Sequence, residues 1–246
     1  MDRNYISSVR LSSPLDEGSY LHDLPVVRHL VQMEALPLSK AVTFLVGENG
    51  TGKSTLLEAI AVAYGFNAEG GTRNFSFSTS ATHSDLHRHL TLSRSAYPKD
   101  GFFLRAESFY NAASYIDDIY EAEFRAQIGT SYGARSLHAQ SHGESFLALV
   151  ENRFGGNGIY LLDEPESALS PSRLMTLLAH IHGLVQNNSQ FIVATHSPVL
   201  MAYPGAEIYQ LSEEGICSVN YRDTQHYQLT RRFLENPEKM LHYLLE

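Results

Sequence analysis

The sequence predicts an α/β chain built on a doubly wound, mainly parallel core sheet, with an antiparallel β region and a helical lobe attached. Three observations carry this expectation. Residues 41–46 (Ala-Val-Thr-Phe-Leu-Val) form a short apolar run rich in β-formers that stops at Gly47 and is followed by a helical pattern over 52–64. Two later apolar runs, 159–162 and 191–194, read as buried parallel strands, and each ends in a polar residue. Between them, Leu174, Leu177, Leu178, Ile181 and Val185 carry helical spacing, which makes a βαβ crossover of ordinary length.

Two regions depart from this rhythm. Residues 89–93 alternate in polarity, 97–101 (Tyr-Pro-Lys-Asp-Gly) read as a turn, and Phe102-Phe103-Leu104 run on, so an antiparallel hairpin is expected there. Residues 207–211 and 216–219 flank Ser-Glu-Glu-Gly as a second hairpin. Residues 108–153 read as mainly helical with a Gly-bearing interruption at 129–133, and the tail from 224 to 246 as helical with Tyr227, Phe233, Leu241, Leu244 and Leu245 at its apolar positions. With no repeat and no long linker, the expected organisation is one domain over 1–246. It has a core lobe (about 1–107 and 154–223), a helical lobe (about 108–153) and a C-terminal tail (224–246).

Composition excludes several classes. Fourteen Tyr, twelve Phe and 43% hydrophobic residues need burial, which excludes disorder for the bulk of the chain. A lone Cys217 cannot close an internal disulfide. No apolar run approaches the roughly 18–20 residues of a membrane span, and the start Met-Asp-Arg-Asn lacks the apolar core of a signal peptide, so a soluble, cytoplasmic protein without membrane insertion is expected. A net charge of −9 argues against coating nucleic acid by charge alone. Only 18% of residues are charged, and such a surface either carries a partner interface or is solvated by Ser, Asn and His.

The chemistry concentrates at three strand ends. Gly47-Glu48-Asn49-Gly50-Thr51-Gly52-Lys53-Ser54 matches G-x-x-x-x-G-K-S/T in full and lies between a strand and a helix. Its glycines let successive backbone N–H groups turn inward as an anion nest, and the helix N-terminus adds partial positive charge. Lys53 is expected to reach the β- and γ-phosphates, Ser54 to ligate Mg²⁺ and Thr55 to add a phosphate contact. The second apolar run ends in Asp163-Glu164, acids at the carboxyl end of a buried strand, where doubly wound sheets hold ligands. Asp163 is expected to hold Mg²⁺ through water, and Glu164 to orient or deprotonate the attacking water. His196 follows the third run in Ala-Thr-His-Ser-Pro and can point at the γ-phosphate.

Phosphate loop, Leu-Leu-Asp-Glu-Pro-Glu-Ser-Ala-Leu-Ser and Ala-Thr-His-Ser-Pro in this order resemble the ABC-type ATPase superfamily over nearly the whole chain. The likeness is to its small soluble members, akin to SMC and RecF heads. The resemblance implies ATP and Mg²⁺ as ligands and a homodimer that sandwiches two ATP molecules. Each protomer of such a dimer lends a Ser-Gly signature to the other's γ-phosphate. Gln140-Ser141-His142-Gly143-Glu144 fits that signature, so Ser141, Gly143 and Glu144 are the expected contacts in trans.

Several positions depart from the family. Glu107 stands where a Gln usually touches Mg²⁺ or its water, and it reads either as a metal-serving carboxylate or as a surface acid at a strand end. Ser170 replaces the usual Asp of the loop after the catalytic Glu. Arg73 lies about where some heads place a phosphate- or DNA-meeting arginine, and also reads as a solvated side chain. Tyr20 and Arg28 are the candidates to stack on adenine. His83, His87 and His89 invite a zinc reading, but no Cys or acidic cluster completes a tetrahedral set. Three functional readings follow. The first is an ATP-hydrolysing protein whose ATP-dependent dimer acts on a DNA or protein partner. The second is the motor subunit of an ABC transporter, and the third is a nucleotide-gated component of a defence or toxin–antitoxin system.

Overall fold

The computed structural model describes residues 4–72, 84–106 and 142–245. The described chain runs β1 (Ile6–Leu11), α1 (Pro25–Gln32), β2 (Leu36–Pro37), β3 (Val42–Gly47), α2 (Lys53–Tyr64), β4 (Leu90–Arg94), β5 (Asp100–Arg105) and α3 (His142–Arg153). It continues through β6 (Gly158–Asp163), α4 (Pro171–Gln186), β7 (Gln190–Ala194), the one-turn α5 (Pro198–Met201), β8 (Glu207–Leu211), β9 (Ile216–Ser218), α6 (Gln225–Glu235) and α7 (Pro237–Leu245).

A six-stranded sheet in the order β5-β6-β7-β3-β8-β9 forms the centre. Its strands are parallel except β9, which pairs antiparallel with β8 as the second expected hairpin. Every residue of β3, β6 and β7 is buried, because helices and a second sheet cover both faces. The pleat divides their side chains between two cores. Phe44, Tyr160, Leu162, Phe191 and Val193 face α3, α4 and α5. Leu45, Ile159, Leu161 and Ile192 face α1, α2 and a three-stranded antiparallel sheet in the order β2-β1-β4. A buried side chain joins the two sheets: Gln190 of β7 accepts from the backbone N–H groups of Tyr5 (2.8 Å) and Ile6 (2.9 Å) and donates to the Ile6 carbonyl (2.8 Å).

The first expected hairpin is not formed. β4 pairs antiparallel with β1, whereas β5 pairs parallel with β6, so the turn at 95–99 carries the chain from one sheet to the other. Burial explains the outcome. β4 is half-exposed, as suits an edge strand of the small sheet, while Phe102, Phe103 and Leu104 are buried on both faces, as a parallel-sheet strand requires. The tail is two helices rather than one. Pro237 cannot supply the N–H that would continue α6, so the chain breaks at Asn236 and restarts. Among the described residues no helix is long and apolar enough to cross a membrane.

Candidate nucleotide site

The site gathers where β3, β6 and β7 end side by side. β3 delivers the loop of Gly47–Ser54, and two of its glycines are required by geometry. Gly47 has φ +146°, and a Cβ there would run into the Leu211 carbonyl; Gly52 caps α2 at φ +93°, where a Cβ would strike Val26. These close approaches leave a cradle lined by backbone. Thr51 is held by its hydroxyl, which donates to the Glu48 carbonyl (2.9 Å), and its own carbonyl accepts from Val26 N–H at the start of α1 (3.2 Å). Glu48, Asn49 and Gly50 form the exposed crest of the loop, and Ser54 and Thr55 are half-buried in the first turn of α2.

Lys53 is 4% exposed and its Nζ donates to the Glu48 carbonyl at 3.0 Å, a contact inside the loop that a phosphate oxygen could replace. Burial lowers its pKa, opposed by the charges of Glu164, Asp163 and Glu166. An ammonium held beside three carboxylates in a glycine cradle fits a triphosphate with a divalent cation. The hydroxyl of Ser54 and the carboxylate of Asp163 are the hard oxygen donors such a cation takes.

Asp163 closes β6 and is buried. Glu164 directly follows with φ +47° and ψ +51°, a left-handed conformation that costs a non-glycine residue about 1–3 kcal/mol. Its backbone stays tied down, the N–H donating to Ala194 of β7 (2.9 Å) and the carbonyl accepting from Ser167 N–H (3.0 Å). Strain at this residue aims its carboxylate out of the strand toward His196, whose Nε2 lies 3.5 Å from Glu164 Oε1. His196 is fixed by Glu166, which accepts from the His196 N–H and, at 2.8 Å, from the Thr195 hydroxyl. Lys53, Asp163, Glu164 and His196 are thus brought together as the strand-end motifs require.

Other expected residues stand elsewhere or outside the described chain. Gly143 is buried at the start of α3, where a Cβ would meet the Ala168 carbonyl and Arg173, and Glu144 accepts from Arg173 Nη2 at 3.0 Å. Both contacts are within one chain and join α3 to the segment after Glu164. Ser141, Glu107, Arg73 and His83 lie outside the described residues. Tyr20 is exposed, and Arg28 is paired with Glu213 at the β8–β9 turn. His87 bonds the Ser84 carbonyl and His89 the Ser13 hydroxyl. Ser170 precedes α4, its hydroxyl 3.1 Å from that of Ser172.

Three participants escape sequence reasoning. Arg105 ends β5 in register with Asp163, its Nε 3.6 Å from Asp163 Oδ2 and its Nη1 donating to Glu58 of α2 at 2.7 Å. From the tail, Gln225 donates to the Glu48 carboxylate at 3.0 Å, and His226 places Nε2 3.0 Å from His196 Nδ1. Arg105 had a signal, a cation at the end of an apolar run; Gln225 and His226 had none.

The fold, with its phosphate-loop motif between β3 and α2, has the architecture of ABC-type ATPase heads. Two AAA-domain family models match parts of the chain. One is described as "AAA domain, putative AbiEii toxin, Type IV TA system" and matches residues 136–202; the other, described as "AAA domain", matches residues 29–122. No curated protein matches the sequence. Among solved structures, cbiO1 of Clostridium perfringens, part of the ABC transporter complex cbiONQ, aligns at 15% identity over 99% of this chain and 100% of its own, with a TM-score of 0.54. A nucleotide-free ATP-binding cassette from an ABC transporter aligns at 15% identity over 87% of this chain and 91% of its own, with a TM-score of 0.53. Another such cassette, in its ADP conformation, aligns at 13% identity over 98% and 99%, with a TM-score of 0.51. These likenesses concern the fold.

Proposed function

We propose that this chain is a Mg²⁺-dependent ATPase whose ATP-bound homodimer gates action on a DNA or protein partner in the cytoplasm. The observation that carries the reading is the meeting of Lys53, Asp163, Glu164 and His196 at the ends of three adjacent parallel strands. In this reading the loop N–H groups and Lys53 bind the β- and γ-phosphates, and Ser54 and Asp163 hold the metal ion. When bound, Mg²⁺ neutralises phosphate charge that builds in the transition state. Glu164 orients a water for in-line attack on the γ-phosphorus and accepts its proton, as the new P–O bond forms and the bridging bond to ADP breaks. His196 donates from its ring to the transferred group. Ser141 and the Gly143 amide complete the site of a second protomer, so the dimer is two-fold and each ATP is shared.

A second reading, a nucleotide-gated component of a toxin–antitoxin or defence system, is favoured by the match of residues 136–202 to the AbiEii-type description. In it, hydrolysis serves as a timer for partner release. One variant tests both. Glu164→Gln is expected to keep ATP affinity, lower turnover by about 10²–10⁴-fold and accumulate an ATP-dependent dimer in light scattering. Unchanged turnover removes Glu164 as the base and directs attention to Glu166. A mass that ignores ATP removes the sandwich. A partner captured on the trapped dimer and released by the wild type is the expectation of the second reading.

A further inference from the structure

The start of α6 meets the candidate nucleotide site through the side chains of Gln225 and His226, and one of these contacts bears on the chemistry of His196. The two imidazoles meet edge to face, ring centroids 5.1 Å apart at 64°, with His196 Nδ1 and His226 Nε2 at hydrogen-bond distance. Among the described residues both outer nitrogens are buried without a hydrogen-bond partner, but they differ in charge surroundings: only His196 Nε2 has a carboxylate within ion-pair distance, Glu164 Oε1 at 3.5 Å.

We infer that His226 is a positioning residue for His196: it donates from Nε2 to His196 Nδ1 and so holds His196 in the tautomer that carries its proton on Nε2, beside Glu164. Each neutral ring has one N–H, and the shared bond uses one. If His226 donates, His196 presents Nε2–H to a carboxylate oxygen, an attractive pairing, and His226 keeps only a bare lone pair on its buried Nδ1. If His196 donates instead, its Nε2 lone pair faces the Glu164 carboxylate, and His226 must bury an N–H that has no acceptor. A buried donor left without a partner is the costlier orphan. The first arrangement therefore prevails.

The groups around His226 support a neutral ring. Burial pushes its pKa down, His196 and Lys53 push in the same direction, and the Glu48 carboxylate opposes them. Gln225 fixes the approach, since its side chain bonds Glu48 and its N–H donates to Gln210 Oε1 of β8 at 3.3 Å. The consequence for turnover rests on the ATPase reading above, because an Nε2–H is what His196 needs to donate to a phosphoryl oxygen.

The test separates the two. In nucleotide-free protein labelled with ¹⁵N-histidine, the wild-type His196 ring is expected to show the Nε2–H form by NMR, and His226→Phe is expected to lose that bias. In turnover assays His226→Phe is expected to lower kcat about five- to tenfold, the worth of roughly one hydrogen bond, with ATP affinity by calorimetry unchanged. His226→Gln, whose amide can donate to the same nitrogen, is expected to recover much of both signals, and it also serves if the Phe variant is poorly folded. An unchanged His196 tautomer in His226→Phe, or Gln behaving as Phe does, overturns the inference. Absence of ATP turnover in the wild type overturns the ATPase reading and leaves the spectroscopic result to decide this one.

Discussion

The two walls of the candidate nucleotide site are built by opposite means. On the sheet side, β3, β6 and β7 are buried along their whole length, and the polar residues of the site stand at or just beyond the strands' carboxyl ends. On the tail side, α6 has no buried residue and reaches the site through Gln225 and His226. One wall is positioned by a hydrophobic core, the other by a few hydrogen bonds, a cap and the packing of Tyr227 on Tyr221. The difference teaches where rigidity and adjustability lie. Side chains at the ends of core strands can move only if the sheet moves, whereas α6 can shift at the cost of one aromatic pair, Tyr221 with Tyr227, and a few polar contacts, each of the latter worth about 0.5–1.5 kcal/mol.

The largest expected effect sharpens this comparison from the sheet side. Lys53→Ala removes the buried ammonium from a cradle whose neighbours include Glu164, Asp163 and Glu166. Two charge-assisted contacts to phosphate at about 1.5–3 kcal/mol each predict a loss of ATP affinity of at least about a hundredfold, measured by calorimetry. Affinity equal to wild type would mean that the sheet-side wall does not bind phosphate.

The same contrast explains what the sequence reveals. β3, β6 and β7 are legible because double-sided burial leaves unbroken apolar runs, and the residues that end those runs stand out by polarity. The first hairpin misleads for a physical reason: local alternation says that 90–93 is half-exposed, but nothing local says which sheet a strand joins. Phe102-Phe103-Leu104 carried the needed hint, since an unbroken apolar triplet suits a two-sided strand better than a hairpin arm. β1 is unreadable in that way, because Ser7, Ser8 and Arg10 interrupt it and its pairing with Gln190 comes from the far end of the chain. His226 is illegible altogether. Its role depends on a contact with His196 thirty residues away, and polar contacts leave no periodicity in a sequence.

A smaller effect tests the sheet side at its edge. Asp100 begins β5 and accepts from Arg153 Nη1 (2.8 Å), the Tyr160 hydroxyl (2.8 Å) and Gly155 N–H (2.9 Å), tying the end of α3 to the sheet. Burial alone would raise its pKa, but these hydrogen bonds and the Arg153 charge outweigh it, and the carboxyl is held below its ordinary value. A depressed carboxyl contributes stability that is present above the unfolded value, about 3.9, and is lost as the pH falls through the folded one. Asp100→Asn is therefore expected to destabilise by about 1.5–3 kcal/mol near neutrality in denaturant titrations. The gap to wild type should shrink toward about pH 3. A gap that grows on acidification would assign the stabilisation to another group.

The smallest effect tests the tail side, and there the signature should be local. Thr224 is fully buried at the start of α6, where its hydroxyl accepts from Tyr227 N–H (3.3 Å) and donates to the Tyr221 carbonyl (2.8 Å). It is the N-cap that fixes where the helix begins, and so where Gln225 and His226 point. Replacing a Thr cap with Ala costs about 1 kcal/mol. In the sheet wall such a loss would appear in global unfolding, because those strands open only when the core does. In α6, with no buried side chain to couple it to the core, the loss should appear as local opening. Thr224→Ala is thus expected to speed amide hydrogen exchange along α6 about fivefold while leaving exchange in β3, β6 and β7 unchanged. Thr224→Ser keeps the hydroxyl and should exchange as wild type does. Uniformly faster exchange across helix and strands in Thr224→Ala would show that the tail is part of the core's cooperative unit, and the contrast between the two walls would fall.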